Sequence, residues 1–183
     1  NISVRHNNGF LITPSGKKYS SLKVKDIVFV SLDGKYEKKY KPSSEWRFHQ
    51  DIYIKKKNAQ AIVHTHSTNA TALSVHKKPI PAFHYMVALA GGNDIKCAKY
   101  ATYGTRELSK NILKALNNRK ACLIANHGQI AFDKNLPDAF ELAQEVENLS
   151  LQYITALKLG KPKILSINEM NKVLKKAKNY KRG

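Results

Sequence analysis

The chain has 183 residues, with 32 Lys plus Arg against 13 Asp plus Glu, a formal charge of +19 and a hydrophobic share of 42%. That length can bury a core without metal or disulfide staples, and no stretch approaches the ~20 apolar residues of a membrane span. Two cysteines, Cys97 and Cys122, without a Cys-x-x-Cys spacing, argue against a disulfide framework and for a reducing, cytoplasmic setting.

Residues 1–5, 10–13 and 27–32 read as an antiparallel meander, punctuated by Asn7-Asn8-Gly9, Pro14-Ser15-Gly16 and Asp33-Gly34-Lys35. Such sequences supply the positive or fixed φ that tight turns require. After Pro42-Ser43-Ser44-Glu45 the spacing turns helical, through Trp46, Phe48, His49, Ile52 and Tyr53, with a serine in front as cap and Lys55 to Lys57 at the end. Residues 61–67 form a buried strand, and Ala70, Leu73 and Ser74 mark a short helix after it. Residues 82–86 are expected to be a short strand entering a helix, and residues 97–103 an extended connection. Leu108, Ile112, Leu113 and Leu116 then lie at helical spacing, residues 121–125 form a buried strand, and residues 129–132 pair back across Asn126-His127-Gly128. Ala139, Leu142, Ala143, Val146, Leu149 and Tyr153 predict a long amphipathic helix. A last helix is predicted over residues 168–178, capped by Ser166 or Asn168, before a basic tail. Without internal repeats or low-complexity linkers, residues 1–183 read as one mixed α/β domain, a largely antiparallel sheet covered by helices in three layers, α/β/α.

The chemistry concentrates in a few places. In a strand successive side chains alternate faces, so His64 and His66 point one way and Thr65 the other. Two imidazoles so placed leave a transition ion needing one or two further ligands, for which Glu45 and His127 are candidates; together the four suit Zn²⁺. The alternative for each is plain structure: interior hydrogen-bonding histidines, a turn residue before Gly128, and a first-turn helix carboxylate. Small polar residues cluster at Asn1-Ile2-Ser3, Thr13-Pro14-Ser15-Gly16 and Pro42-Ser43-Ser44. Turn amides, serine hydroxyls and a helix start make an anion cradle that fits a phosphate, although ordinary turn and cap chemistry accounts for each segment alone. Asn1-Ile2-Ser3 also matches a glycosylation sequon, which a cytoplasmic chain does not use. The lysines are spread along the chain rather than gathered in an aromatic-interleaved patch, which reads as a solvated surface with some steering of anionic substrates, and no nucleic acid is expected.

Seven segments in this order, Asn1-x-Ser3-x-Arg5, Leu11 to Gly16, Pro42-Ser43-Ser44-Glu45-Trp46-Arg47-Phe48-His49, Val63-His64-x-His66, Ile80-Pro81-Ala82-x-His84-Tyr85-Met86, Tyr100 to Leu108 and His127-Gly128, resemble the class II aldolase/adducin family. The resemblance implies a sugar-phosphate enzyme with Zn²⁺ held by Glu45, His64, His66 and His127. It implies a substrate phosphate held by Asn1, Ser15, Gly16, Ser43 and Ser44, and Glu45 moving the proton on the carbon next to the ketone. Tyr85 and a C-terminal tyrosine, matched here by Tyr180, are implied to serve the same site, within a cyclic homotetramer whose sites lie between subunits. The family pattern also has a helix and a glycine before the asparagine matched by Asn1, which the chain as given lacks. Asn126 stands where relatives often carry another His, and neither it nor Thr65 replaces a proposed ligand. A metal-free aldolase would need a desolvated lysine, and no lysine sits inside an apolar strand here. Other readings are a pentulose-phosphate 4-epimerase or methylthioribulose-phosphate dehydratase of the same family, whose epimerases resemble Ser-Ser-Asp where this chain has Ser44-Glu45, and a non-catalytic adducin-like or nucleic-acid-binding module.

Overall fold

Alternation along the strands sorts the chain into two cores. In β4 (Ala61–Thr65), β8 (Ala121–Ile124) and β9 (Gly128–Asp133), the side chains of Ile62, Cys122, Ile124, Ile130 and Phe132 join one buried cluster. Those of Ala61, Val63, Ala121, Leu123 and Ala131 join the other. The computed structural model describes residues 1–37, 39 and 41–180, with side chains through residue 177 at the C-terminal end. Seven strands make one sheet in the order β3-β2-β1-β4-β9-β8-β7, with β1 at Ile2–His6, β2 at Gly9–Ile12, β3 at Val28–Ser31 and β7 at Cys97–Ala98. Every pairing is antiparallel except β7 with β8. The expected meander is β1 to β3.

Helices α1 (Trp46–Lys55) and α3 (Arg106–Ala115) cover one face through Phe48, Ile52, Tyr53, Leu108 and Ile112. Helices α2 (Thr68–Ser74) and α4 (Leu136–Lys158) cover the other through Ala70, Leu73, Ala139, Leu142 and Val146. This is the three-layer arrangement the pattern predicts. Thr105 caps α3 by accepting the Leu108 N–H at 3.2 Å, and Asn135 caps α4 by accepting that of Asp138 at 2.8 Å. Of the two caps expected for α5 (Ile167–Tyr180), Ser166 serves, taking the Glu169 N–H at 3.1 Å.

Three expectations differ from the structure. The serine expected to cap α1 does not, its N-cap being Glu45 with no side-chain cap bond. The strand expected within residues 82–86 lies earlier, as β5 (Ile80–Pro81), paired with β6 (Asp94–Ile95); the helix after it is a 3₁₀ helix, Tyr85–Ala90. Pro79 and Pro81 favour extended backbone, and Gly91 at φ +95° ends the helix tightly. The extended connection over 97–103 is a strand only at β7, and Gly104 at φ +75° turns it toward α3. Among the described residues no helix is long and apolar enough to cross a membrane.

Candidate metal centre

His64 shares its strand face with Ile62, which turns its ring toward the layer of α1. His66 comes two residues later, just beyond the end of β4. Glu45 stands at the head of α1, and His127 in the turn between β8 and β9. Asn126 holds that turn at φ +53°, a left-handed conformation that asparagine tolerates, and the His127 N–H closes it on the Ile124 carbonyl at 3.0 Å. The candidate ligand atoms of Glu45, His64, His66 and His127 all lie within 4.8 Å of one another.

The spacing suits an ion. His64 Nε2 is 3.1 Å from His66 Nε2 and 3.1 Å from Glu45 Oε2, and His127 Nε2 is 3.0 Å from Glu45 Oε1. Four ligands about 2.05 Å from a tetrahedral zinc stand about 3.3 Å apart. His64 Nδ1 lies 2.7 Å from the Gln129 carbonyl, an acceptor only, so the ring proton sits on Nδ1 and Nε2 presents a bare lone pair. Glu45 Oε1 is buried and makes no hydrogen bond despite its nearness to His127, as befits an atom aimed at a shared centre. Burial works to raise the Glu45 carboxyl, but the imidazoles of His127 and His64 outweigh it and hold the group well below the usual carboxylate range. Burial lowers His64 against the opposing pull of Glu45, and lowers His66 together with the neighbouring His127. The set is one carboxylate and three imidazoles, a donor set that fits a divalent transition metal. His66 is exposed and His127 half-buried, so the cluster opens on their side.

The other predicted residues divide. Pro14 and Pro42 form a β-bridge; the Ser43 N–H donates to the Thr13 carbonyl at 3.1 Å and the Ser15 N–H to the Lys41 carbonyl at 3.0 Å. The Ser15-Gly16 turn and the Ser43-Ser44 segment thus lie side by side, next in sequence to Glu45. Gly16, at φ +72°, has open space where a Cβ would stand. Ser43 is buried and receives the Glu45 N–H at 3.3 Å, while Ser15 and Ser44 are exposed. Asn1 extends the β1–β4 ladder by exchanging main-chain bonds with His64 at 2.9 Å, and its Nδ2 donates to Glu45 Oε2 at 3.0 Å. Tyr85 is 54% exposed, lies against His84 and makes no hydrogen bond or ring contact with the four ligands among the described residues. The Tyr180 side chain lies outside the described residues. Two neighbours of the cluster are absent from the sequence expectations: the Gln129 carbonyl, which a backbone acceptor leaves unsigned in the sequence, and His49. For His49 a signal exists, an imidazole on the apolar face of α1.

The family pattern described as the Class II Aldolase and Adducin N-terminal domain matches residues 1–154. The chain is 51% identical over 180 residues to a 5-methylthioribulose-1-phosphate/5-deoxyribulose-1-phosphate aldolase of Rhodospirillum rubrum, covering 98% of this chain and 81% of that protein. It is 50% identical over 181 residues to the L-fuculose phosphate aldolase of Escherichia coli K12, covering 98% of this chain and 84% of that protein. A solved structure of an L-fuculose 1-phosphate aldolase superposes with a TM-score of 0.93 at 41% identity, over 97% of this chain and 84% of that one.

Proposed function

The chain belongs to the class II aldolase and adducin family, and on that premise we propose that it is a zinc-dependent aldolase splitting a ketose 1-phosphate into dihydroxyacetone phosphate and an aldehyde. L-fuculose 1-phosphate, giving L-lactaldehyde, is the first candidate substrate. A second is 5-methylthioribulose or 5-deoxyribulose 1-phosphate, favoured by the name of the Rhodospirillum rubrum relative. Both share the phosphorylated ketone end and differ beyond the bond that breaks. The observation that carries the reading is the gathering of Glu45, His64, His66 and His127 beside the paired Ser15-Gly16 and Ser43-Ser44 segments.

Zinc held by the three imidazoles and Glu45 would supply a Lewis acid for the negative charge that develops on the ketone oxygen. In the condensation direction Glu45 takes a proton from the hydroxymethyl carbon beside the ketone, and Tyr85 gives one to the aldehyde oxygen; cleavage reverses both. Ser15, Gly16, Ser43, Ser44 and the free N–H of Asn1 receive the phosphate, with turn amides and hydroxyls as donors. The exposure of Tyr85 and its lack of a hydrogen bond or ring contact with the cluster support a ring that serves a neighbouring copy, as in a homotetramer with sites between subunits. Tyr180 is proposed to serve the same site. The unpaired thiols support a cytoplasmic setting for this single domain.

The test is cleavage of each of the three sugar phosphates, coupled to a dihydroxyacetone phosphate assay, with and without chelator. Cleavage lost on chelation and restored by zinc is expected, and the ratio of kcat/KM values picks the substrate. Cleavage indifferent to chelation sinks the proposal. An epimer or a dehydrated product moves the chain to the epimerases or dehydratases of the family. Steeply salt-dependent retention on DNA with no bound zinc moves it to an adducin-like or nucleic-acid-binding module.

A further inference from the structure

Glu45, just ahead of α1, and His49 and Tyr53 within it stand four residues apart in sequence and face Asn1 and Ser3. Asn1 and Ser3, two apart on the strand side, fill the gaps between them. The result is a buried zipper of alternating helix and strand side chains. Tyr53 Oη lies 2.8 Å from Ser3 Oγ, and Ser3 Oγ 2.7 Å from His49 Nδ1. His49 Nε2 lies 2.6 Å from Asn1 Oδ1, and Asn1 Nδ2 3.0 Å from Glu45 Oε2. Tyr53, Ser3 and His49 are each at most 1% exposed.

The proton order along this zipper follows from the Asn1 amide, whose NH₂ faces Glu45 and whose carbonyl oxygen faces His49. His49 Nε2 must then carry the hydrogen. Burial keeps this ring neutral, so Nδ1 is a bare acceptor, filled by the Ser3 hydroxyl, whose oxygen in turn accepts from Tyr53. A flipped Asn1 amide would set two acceptors face to face at Glu45.

We propose that His49 is a positioning residue for the metal centre: by fixing the orientation of the Asn1 amide it holds Glu45 Oε2 in place beside His64. This rests on the reading of Glu45 as a ligand. Once the imidazole Nε2 atoms are committed to an ion, the Asn1 N–H is the hydrogen bond from the described residues that remains on the Glu45 carboxylate. Beyond Tyr53 stands the guanidinium of Arg5, over the ring face at 4.8 Å.

The experiment compares full-length wild type, His49→Gln and His49→Asn. A glutamine amide reaches the Nε2 position and can still donate to Asn1, whereas asparagine reaches only Nδ1. Zinc affinity, measured by chelator competition, is expected to fall roughly 10-fold in His49→Asn and to stay within about 2-fold of wild type in His49→Gln. The ¹⁵N shifts of His49 in the wild-type chain are expected to report the neutral ring protonated on Nε2. Equal zinc affinity in all three proteins, equal losses in the two variants, or a ring protonated on Nδ1 would overturn the proposal. Should both variants fail to fold, the wild-type ¹⁵N spectrum decides alone. None of these readouts uses a sugar phosphate, so a chain that cleaves none of the three substrates refutes the proposed function and leaves this test standing.

Discussion

Replacing Gly128 with alanine tests whether the convergence of the ligands depends on how closely two strands approach. Gly128 sits between His127 and Gln129 at the start of β9, with an ordinary φ, so what matters there is the missing Cβ and not conformational freedom. A Cβ would stand 2.3 Å from the Thr65 carbonyl oxygen and 3.2 Å from His66 Cα. Both are backbone atoms of the stretch that carries His64 and His66. Ordinary contact begins near 3.4 Å, so the backbones must part by about 1 Å, several times the ~0.2 Å tolerance of metal–ligand distances. Overpacking of this kind costs about 1–3 kcal/mol in the metal-free protein. In wild type, zinc at 100-fold over Kd stabilises by about 2.7 kcal/mol, or about 5–10 °C in Tm for a chain this size. A 10-fold weaker site forfeits about 1.4 kcal/mol of that. Differential scanning calorimetry with and without zinc should therefore show a lower metal-free Tm for Gly128→Ala and a zinc-induced rise no more than about half that of wild type. A variant whose metal-free Tm and zinc response both match wild type would refute the reasoning.

Glu147 on α4 accepts the Asn69 N–H at 2.8 Å, the Asn69 amide at 2.7 Å and the Ala70 N–H at 2.9 Å, tying down the start of α2 just after His66 and Ser67. Burial raises its carboxyl, but the bonds from Asn69, Ser67 and Ala70 win and the pKa is lowered from 4.5. The stability it contributes is present above that unfolded value and lost as pH falls through the lower folded one. Glu147→Gln should cost about 1–2 kcal/mol in urea unfolding at pH 7, with the gap to wild type closing in acid below pH 4.5; a gap independent of pH would count against it. Burial also pushes the Cys97 thiol up to about 11 and that of Cys122 higher still. A disulfide reagent at neutral pH should label both slowly in the native protein and promptly in urea, and rapid native labelling of Cys97 would contradict its assigned environment.

The parts of the site that can be read from the sequence are those whose placement comes from local periodicity. His64 and His66 share a face because a strand repeats every two residues, and Glu45 heads a helix because Trp46, Phe48, His49, Ile52 and Tyr53 repeat at helical spacing. Both cores obey the same alternation. The short strand and 3₁₀ helix around Pro81 and Tyr85 depart from the sequence expectation because two prolines extend the backbone one step before the apolar pattern begins, and tertiary packing then decides the form of the helix at Tyr85–Ala90. The bridge of Pro14 to Pro42 is invisible in the sequence for a different reason: it joins segments on either side of a long excursion through β3, and no local preference encodes such a pairing.

The convergence itself is a property of register. His64 pairs with Ile130 and Thr65 with Gln129 across the two central strands, while Ile124 faces Gly128 at the end of the β8–β9 hairpin. A shift of one residue in the β4–β9 pairing would turn His64 and His66 toward α4 and bury Thr65 under α1. Val63 would then enter the α1 core and Ile62 the α4 core, exchanging side chains between two packed interiors whose shapes differ. The hydrophobic pattern that fixes the sheet therefore also fixes where the imidazoles point. The hairpin turn at Asn126 then sets the third ring against them, and the side chains of β1 and α1 carry the carboxylate in from the other side.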